Sequence, residues 1–389
     1  MAQPTITFNI GQGGLGRPLA GEDHISGFLW WNATLPTGFG TNKEKTFFSL
    51  EEAESAGIVE GDVSFGALWY QIREFFRINS LGVLHVGIYP VPVGSYDYTE
   101  LQTLQAFAGG KIRQFGIWEN LTAYTTTPLV TIQGILDTLL TDYQPAVAIY
   151  SADTSAIAPA SLPDAKTGQA QAVSICVGQD GGAKGAALAV SEGYSIPTLG
   201  AQLGALSAAK VSDSIAWVGK FPLVTGDELK VPAFGDGTKT SSLATSALNT
   251  IRDNANTFIK KFIGRENTYF VDSLTATAAN SDFSTLENNR TIQKAVREIY
   301  VRSLDLLNSP ITVNADGTLD EDTIQTFRAK AVEALDQMEA NTEISAYEVT
   351  LDPSQDVLAT SKIEVAVKIV PVGVAREIVY NIGFTTNIS

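Results

Sequence analysis

The chain has 389 residues, 44% of them hydrophobic and 17% charged, with 42 acidic against 26 basic side chains for a net charge of −16. At roughly 150 residues per domain this length predicts two or three domains, and the apolar share argues against a disordered chain, which combines low hydrophobicity with dense charge. The acidic balance argues against nucleic acid as the main ligand, because phosphate binding needs clustered Lys and Arg.

The first readable element is Thr5-Ile6-Thr7-Phe8-Asn9-Ile10, whose polar–apolar alternation is that of a half-buried strand. Gly11, Gly13, Gly14 and Gly16 follow as a flexible joint, so this strand either closes the protein's own sheet or reaches into a neighbour's. From Leu81 the pattern becomes α/β: strands over Leu81–Tyr89, Ile112–Trp118, Ala146–Tyr150, Ala172–Val177 and Ile215–Val218 alternate with helices over Tyr98–Phe107, Pro128–Tyr143, Gly182–Ser191 and Thr198–Ala209. Such alternation predicts a mostly parallel sheet covered on both faces. After a polar break at Asp236–Ser242, helices are expected over Ser246–Ile263, Asn288–Leu307 and Thr318–Glu339, with an extended piece at Thr268–Leu274. Alternating stretches at Ile344–Leu351, Lys362–Pro371 and Ala375–Phe384 close the chain as strands, making this region α+β and a separate domain.

Little in the sequence selects chemistry. Gly11-Gln12-Gly13-Gly14-Leu15-Gly16 fits the dinucleotide fingerprint in spelling, but Arg17-Pro18-Leu19-Ala20-Gly21 cannot cleanly start the helix whose amides would meet a pyrophosphate. Gly181-Gly182-Ala183-Lys184-Gly185 resembles a Walker loop only in composition. His85 sits in an apolar run, and Asp23, His24 and Ser26 are too close along the chain to converge as a triad. Cys176 is the only cysteine and lies in Val173-Ser174-Ile175-Cys176-Val177, where a buried, inert thiol is expected. Asp320-Glu321-Asp322 opens a helix, where acidic residues suit the dipole. Neither a cofactor nor a metal is expected. Met1–Ile10 has neither the basic start nor the apolar core of a secretory signal, and no stretch approaches the ~20 apolar residues of a membrane span; the expectation is cytoplasmic synthesis without direct membrane insertion.

From about Asn288 onward the chain resembles contractile phage tail sheath proteins, including those of phage-tail-like injection systems. The resemblance rests on the helix Asn289-Arg290-Thr291-Ile292-Gln293-Lys294-Ala295-Val296-Arg297 and the turn Ala315-Asp316-Gly317-Thr318-Leu319. It continues through Ile363-Glu364-Val365-Ala366-Val367-Lys368-Ile369-Val370-Pro371-Val372-Gly373 and Arg376-Glu377-Ile378-Val379-Tyr380-Asn381-Ile382. Leu15–Pro18 and Asp23–Gly27 resemble the family's start, whereas the middle is similar only in architecture.

The resemblance implies a non-enzymatic subunit of six-fold rings stacked helically around an inner tail tube, with baseplate and tail terminator proteins as further partners. Assembly would take place in the bacterial cytoplasm, and the tail or tail-like particle would be the final location. It implies residues 1–16 as an N-terminal arm and linker, 17–80 as the start of the sheath core, 81–235 as an outward-facing α/β domain, 236–373 as the α+β core and 374–389 as a C-terminal arm. Inter-subunit strands would then be Thr5, Ile6, Thr7, Phe8, Asn9 and Ile10 at one end and Glu377, Ile378, Val379, Tyr380, Asn381 and Ile382 at the other. A helix of the C-terminal core would face the tube. Two are candidates: the basic Asn288–Leu307, and the acidic helix carrying Asp320, Glu321, Arg328, Glu333 and Asp336, whose apolar stripe leaves a charged face opposite. Another structural component, such as a baseplate or surface-layer protein, and a nucleotide-binding α/β enzyme remain as alternatives.

Overall fold

A computed structural model describes residues 21–385. In chain order the elements are β1 (Ile25–Trp31), β2 (Glu44–Phe47), α1 (Leu50–Ser55), α2 (Gly66–Ile78), β3 (Val83–Tyr89), α3 (Glu100–Phe107), β4 (Gln114–Ala123), α4 (Thr127–Thr141) and β5 (Val147–Asp153). Next come β6 (Val173–Cys176), β7 (Gly178–Asp180), α5 (Lys184–Glu192), α6 (Leu199–Ala208), β8 (Pro232–Phe234), α7 (Thr245–Asp253), β9 (Asn256–Thr257), β10 (Ile259–Lys261) and β11 (Thr268–Phe270). The last are α8 (Leu286–Ser303), α9 (Glu321–Ala340), β12 (Ile344–Leu351), α10 (Val357–Thr360) and β13 (Val365–Pro371). They fall into two compact units: one runs to Ala209 and resumes over Ile215–Leu286, the other takes Lys210–Ser214 and everything from Glu287.

The first unit is built on a seven-stranded sheet in the order β2-β3-β1-β4-β5-β6-β9. Every pairing is parallel except that of β2 with β3. Its central strands are apolar on both faces because both faces are covered. In β1, Phe28 and Trp30 enter one core with Leu68, Ile72 and Phe75 of α2 and Leu199, Leu203 and Leu206 of α6. Leu29 and Trp31 enter the other core with Leu101 and Leu104 of α3 and Leu129, Ile132 and Leu136 of α4. Each such fully buried side chain contributes about 1.5–3 kcal/mol.

Close approach of α2 and α6 is made possible by glycine. A Cβ on Gly200 would lie 2.1 Å from the Gln71 carbonyl oxygen, and one on Gly204 would lie 2.7 Å from that of Phe75. The Gln71 side chain closes the contact: its amide donates to the Pro197 carbonyl at 2.9 Å and its oxygen accepts from the Gly200 N–H at 2.7 Å. That N–H belongs to the first turn of α6, where no intrahelical acceptor exists.

The second unit is smaller. Its core is Ala295, Ala331, Leu335, Met338, Ile344 and Val349, contributed by α8, α9 and β12. β12 pairs antiparallel with β13 in a two-stranded sheet. The Lys210–Ser214 segment is tied to the α9–β12 turn: Lys210 Nζ donates to the Asn341 carbonyl at 3.1 Å, and Ser212 Oγ to the Thr342 carbonyl at 3.2 Å.

The mostly parallel, doubly covered sheet matches the expectation from sequence, but the chain divides elsewhere. β1 lies between β3 and β4, so a boundary at 80/81 would cut the central sheet, and the break falls at 286/287 rather than 235/236. The helix expected over Ser246–Ile263 ends at Asp253, because Ala255 takes a left-handed φ of 56° and the chain turns into β9 and β10. Ile215–Val218 forms turns rather than a strand. Ala375–Phe384 forms no strand with any of the described residues. The Thr5–Ile10 strand and the Gly11–Gly16 run lie outside the described residues.

Candidate assembly interface

In a doubly wound sheet, ligands bind beyond the C-terminal strand ends where the strand order reverses. Here that point lies between β1 and β4, and aromatic side chains fill it. Trp30 stacks on Trp118 with ring centroids 6.0 Å apart and 19° between planes, both buried. The Trp30 indole N–H donates to Asn120 Oδ1 at 3.0 Å. Beside them the hydroxyls of Tyr98 and Tyr150 both donate to Oε2 of buried Glu119, at 2.5 and 3.0 Å. Burial pushes both phenols well above their ordinary pKa, with the Glu119 charge adding to the effect, so they stay neutral donors.

The residues singled out as candidate chemistry are built into structure. His85 bonds Thr46 Oγ1 at 2.8 Å across the β2–β3 pair, and burial holds its imidazole down at about 4, hence neutral. His24 is lowered by burial too, against the opposing charges of Asp23 and Glu22. Ser26 is buried in β1 and accepts from Gln114 Nε2 at 2.9 Å, so Asp23, His24 and Ser26 form no relay. In Gly181–Gly185 a Cβ on Gly181 would sit 2.6 Å from Ala233 Cβ, and one on Gly182 would sit 2.7 Å from Val231 Cγ2. Those glycines answer to packing. Asp180 occupies the amides ahead of α5, accepting from Gly182 and Ala183. Among the described residues no group of three or more His, Cys, Asp and Glu is placed to hold a metal, and no helix is long and apolar enough to cross a membrane.

Cys176 is 1% exposed beside Thr198 Oγ1, and burial pushes its thiol up to about 12. Only the thiolate is nucleophilic, so native protein should resist iodoacetamide at about pH 8 and react fully in denaturant. Mass spectrometry reads the difference; equal labelling in both states would contradict the packing around Cys176.

The charged helix face and the exposed apolar segment singled out in the sequence lie on the second unit. On α9, Ala331, Ala334, Leu335 and Met338 are buried, whereas Glu321, Asp322, Arg328, Glu333, Asp336 and Glu339 are exposed. Asp320 is the N-cap and is half-buried. Three of these acids are engaged within the unit, a point the sequence does not reveal: Glu321 accepts from Gln325 Nε2 at 2.7 Å, Asp336 accepts from the Tyr347 hydroxyl, and Glu333 lies 3.7 Å from Arg302. The basic residues of α8 form no comparable stripe. Arg290 and Arg297 are buried, and Lys294 bonds Glu343 at 2.6 Å. Between α9 and β12 runs an open groove of about 420 Å³, lined by Arg328, Val332, Glu339, Ala346 and Glu348 among others.

Beyond β13 the chain continues to residue 385 without regular structure. Ile378, Val379, Tyr380, Ile382 and Phe384 are all exposed. Just before them Arg376 pairs with buried Glu287 in the first turn of α8.

No curated protein sequence matches the chain. Among solved structures, a chain of the anti-feeding prophage (AFP) baseplate superposes with a TM-score of 0.64 at 13% identity, covering 100% of both chains. A chain of the PVC extracellular contractile injection system, from its sheath complex in the contracted state, superposes with a TM-score of 0.60 at 12% identity over 100% of this chain and 98% of that one. Likeness at such identity is likeness of fold, and it extends over both units. The sequence matches the DUF2586 N-terminal domain over residues 3–274 and the DUF2586 C-terminal domain over residues 282–389. Between them these two matches take in nearly the whole chain, and the protein belongs to the DUF2586 family.

Proposed function

We propose that this protein is a structural subunit of a contractile injection machine, and specifically a sheath subunit that polymerises as stacked six-fold rings around an inner tube and contracts to drive it forward. The observation that carries the reading is the second unit's unfinished sheet. Among the described residues β12 and β13 pair only with each other, and an exposed apolar–polar segment follows within the same unit. Open edges invite strand addition, in which main-chain hydrogen bonds hold the partner and alternate side chains fill pockets. Glu377–Ile382 of one copy would complete the sheet of the next, with Thr5–Ile10 as a second donor. The full-length likeness to subunits of two contractile systems supports this reading.

Negative-stain microscopy of the purified chain, with and without its inner tube protein, tests it. Tubes of constant diameter, alone or templated, are expected. A single closed ring that never stacks would favour the second reading, a baseplate component, which the likeness to the AFP baseplate chain supports equally.

The acidic face of α9 is the element proposed to meet the tube, with Asp320, Glu321, Arg328, Glu333 and Asp336 around it. Exposed charges of this kind steer assembly while each contributes little energy. Reversing Glu321 and Glu333 to Lys should therefore abolish co-assembly with the tube at low salt and leave tube-free polymers intact. Full-length sheaths on tubes from the double variant would count against this orientation.

A further inference from the structure

The C-terminal segment does not hang from the end of β13. Ser345 Oγ donates to the Pro371 carbonyl at 3.0 Å and fastens the last residue of that strand. Five residues later Arg376 reaches Glu287, whose side chain is 2% exposed, while Arg376 itself keeps 34%. From Glu377 to Thr385 every residue is exposed and none belongs to a ladder. Chain order alone would let the exposed segment begin at Val372. The ion pair moves its root to Glu377, and the five residues so withheld span about 17 Å when extended.

We propose that Arg376 and Glu287 form a latch that fixes where, and in which direction, the C-terminal segment leaves the subunit to be taken by a second copy of this chain; this rests on the strand-donation reading above. The chemistry suits a fixed root. A guanidinium–carboxylate pair is directional as well as charged, and Glu287 sits where a helix N-terminus favours an anion. A donated strand binds with an effective concentration set by the length of its tether, highest when that length matches the span. Shortening the tether by five residues selects neighbours at one spacing over others. Arg376 is in this sense a positioning residue.

The test uses the full chain carrying Ala375→Cys, labelled with a nitroxide; buried Cys176 leaves the new thiol as the reactive one. On unassembled protein the label should give a broad, restricted spectrum. Arg376→Gln and Glu287→Gln should each shorten its correlation time several-fold without changing the melting temperature, and Arg376→Lys should restore part of the restriction. Identical spectra in all four proteins would overturn the latch. So would a loss of mobility restraint accompanied by general melting of the second unit in Arg376→Gln, because the pair would then be ordinary packing. In assembly, unlatched chains should form polymers of irregular pitch; wild-type regularity from a demonstrably unlatched chain would overturn the positioning role. Removing residues 377–389 tests the donation reading separately: unchanged polymers would retire that reading, and the label would still report whether the root is held.

Discussion

Gly200→Ala should lower the folding stability of the first unit by about 3 kcal/mol, the upper part of the usual range for overpacking a core. The added methyl would fall 2.1 Å from the Gln71 carbonyl oxygen, a backbone atom that cannot rotate away. Separating α2 from α6 to make room would also stretch the bond from the Gly200 N–H to the Gln71 side chain, 2.7 Å long in the native packing. A control isolates the cause. Gly134 lies in α4 with no heavy atom within 4 Å of a built Cβ, so Gly134→Ala should stabilise the chain by up to about 1 kcal/mol through helix propensity alone. Urea midpoints of the two variants should move in opposite directions. A Gly200→Ala protein unfolding at the wild-type midpoint would mean that the helices are not in backbone contact.

Removing Glu377–Ser389 should leave the subunit folded and stop it polymerising. The described part of that segment is exposed throughout, and truncations away from packed features change stability by less than about 0.5 kcal/mol. A donated strand of this length would form on the order of four ladder bonds at about 1 kcal/mol each, which corresponds to roughly a thousandfold in critical concentration. Sedimentation across a concentration series reads that shift, and removing Met1–Ile10 should act in the same direction. Polymerisation of the truncated chain at the wild-type concentration would end the strand-donation reading, whereas its unfolding would assign the segment to the subunit's own core.

Sequence pattern located the elements whose partners are near in sequence or whose period is plain. In the α4 stripe Leu129, Ile132, Leu136 and Leu139 are buried while Ile135 is half-buried and Leu140 exposed; in the α9 stripe Ala331 and Leu335 are buried while Ile324, Phe327 and Val332 are half-buried. β1 escaped notice because Phe28-Leu29-Trp30-Trp31 is apolar without a break, a strand covered on both faces having no alternation to reveal. Around Ala255 a left-handed residue that is not glycine ended a helix, and composition does not announce such a residue. Period-two alternation at Ala375–Phe384 was legible as an edge-seeking segment, yet it forms no ladder with the described residues. The α9 face was legible by charge; its engagement by Tyr347 and Arg302 was not, because those contacts come from other elements. Nor was the Arg376–Glu287 pair, whose members lie 89 positions apart.

The five residues Lys210–Ser214 have a mechanical consequence. Since they belong to the second unit while both flanking stretches belong to the first, the backbone crosses between units at 209/210, 214/215 and 286/287. A protease cutting after Leu286 would sever one crossing and release nothing, for Lys210 and Ser212 would still grip the carbonyls of Asn341 and Thr342. The chain thus visits the second unit twice, and the short first visit is held there by hydrogen bonds rather than by covalent continuation.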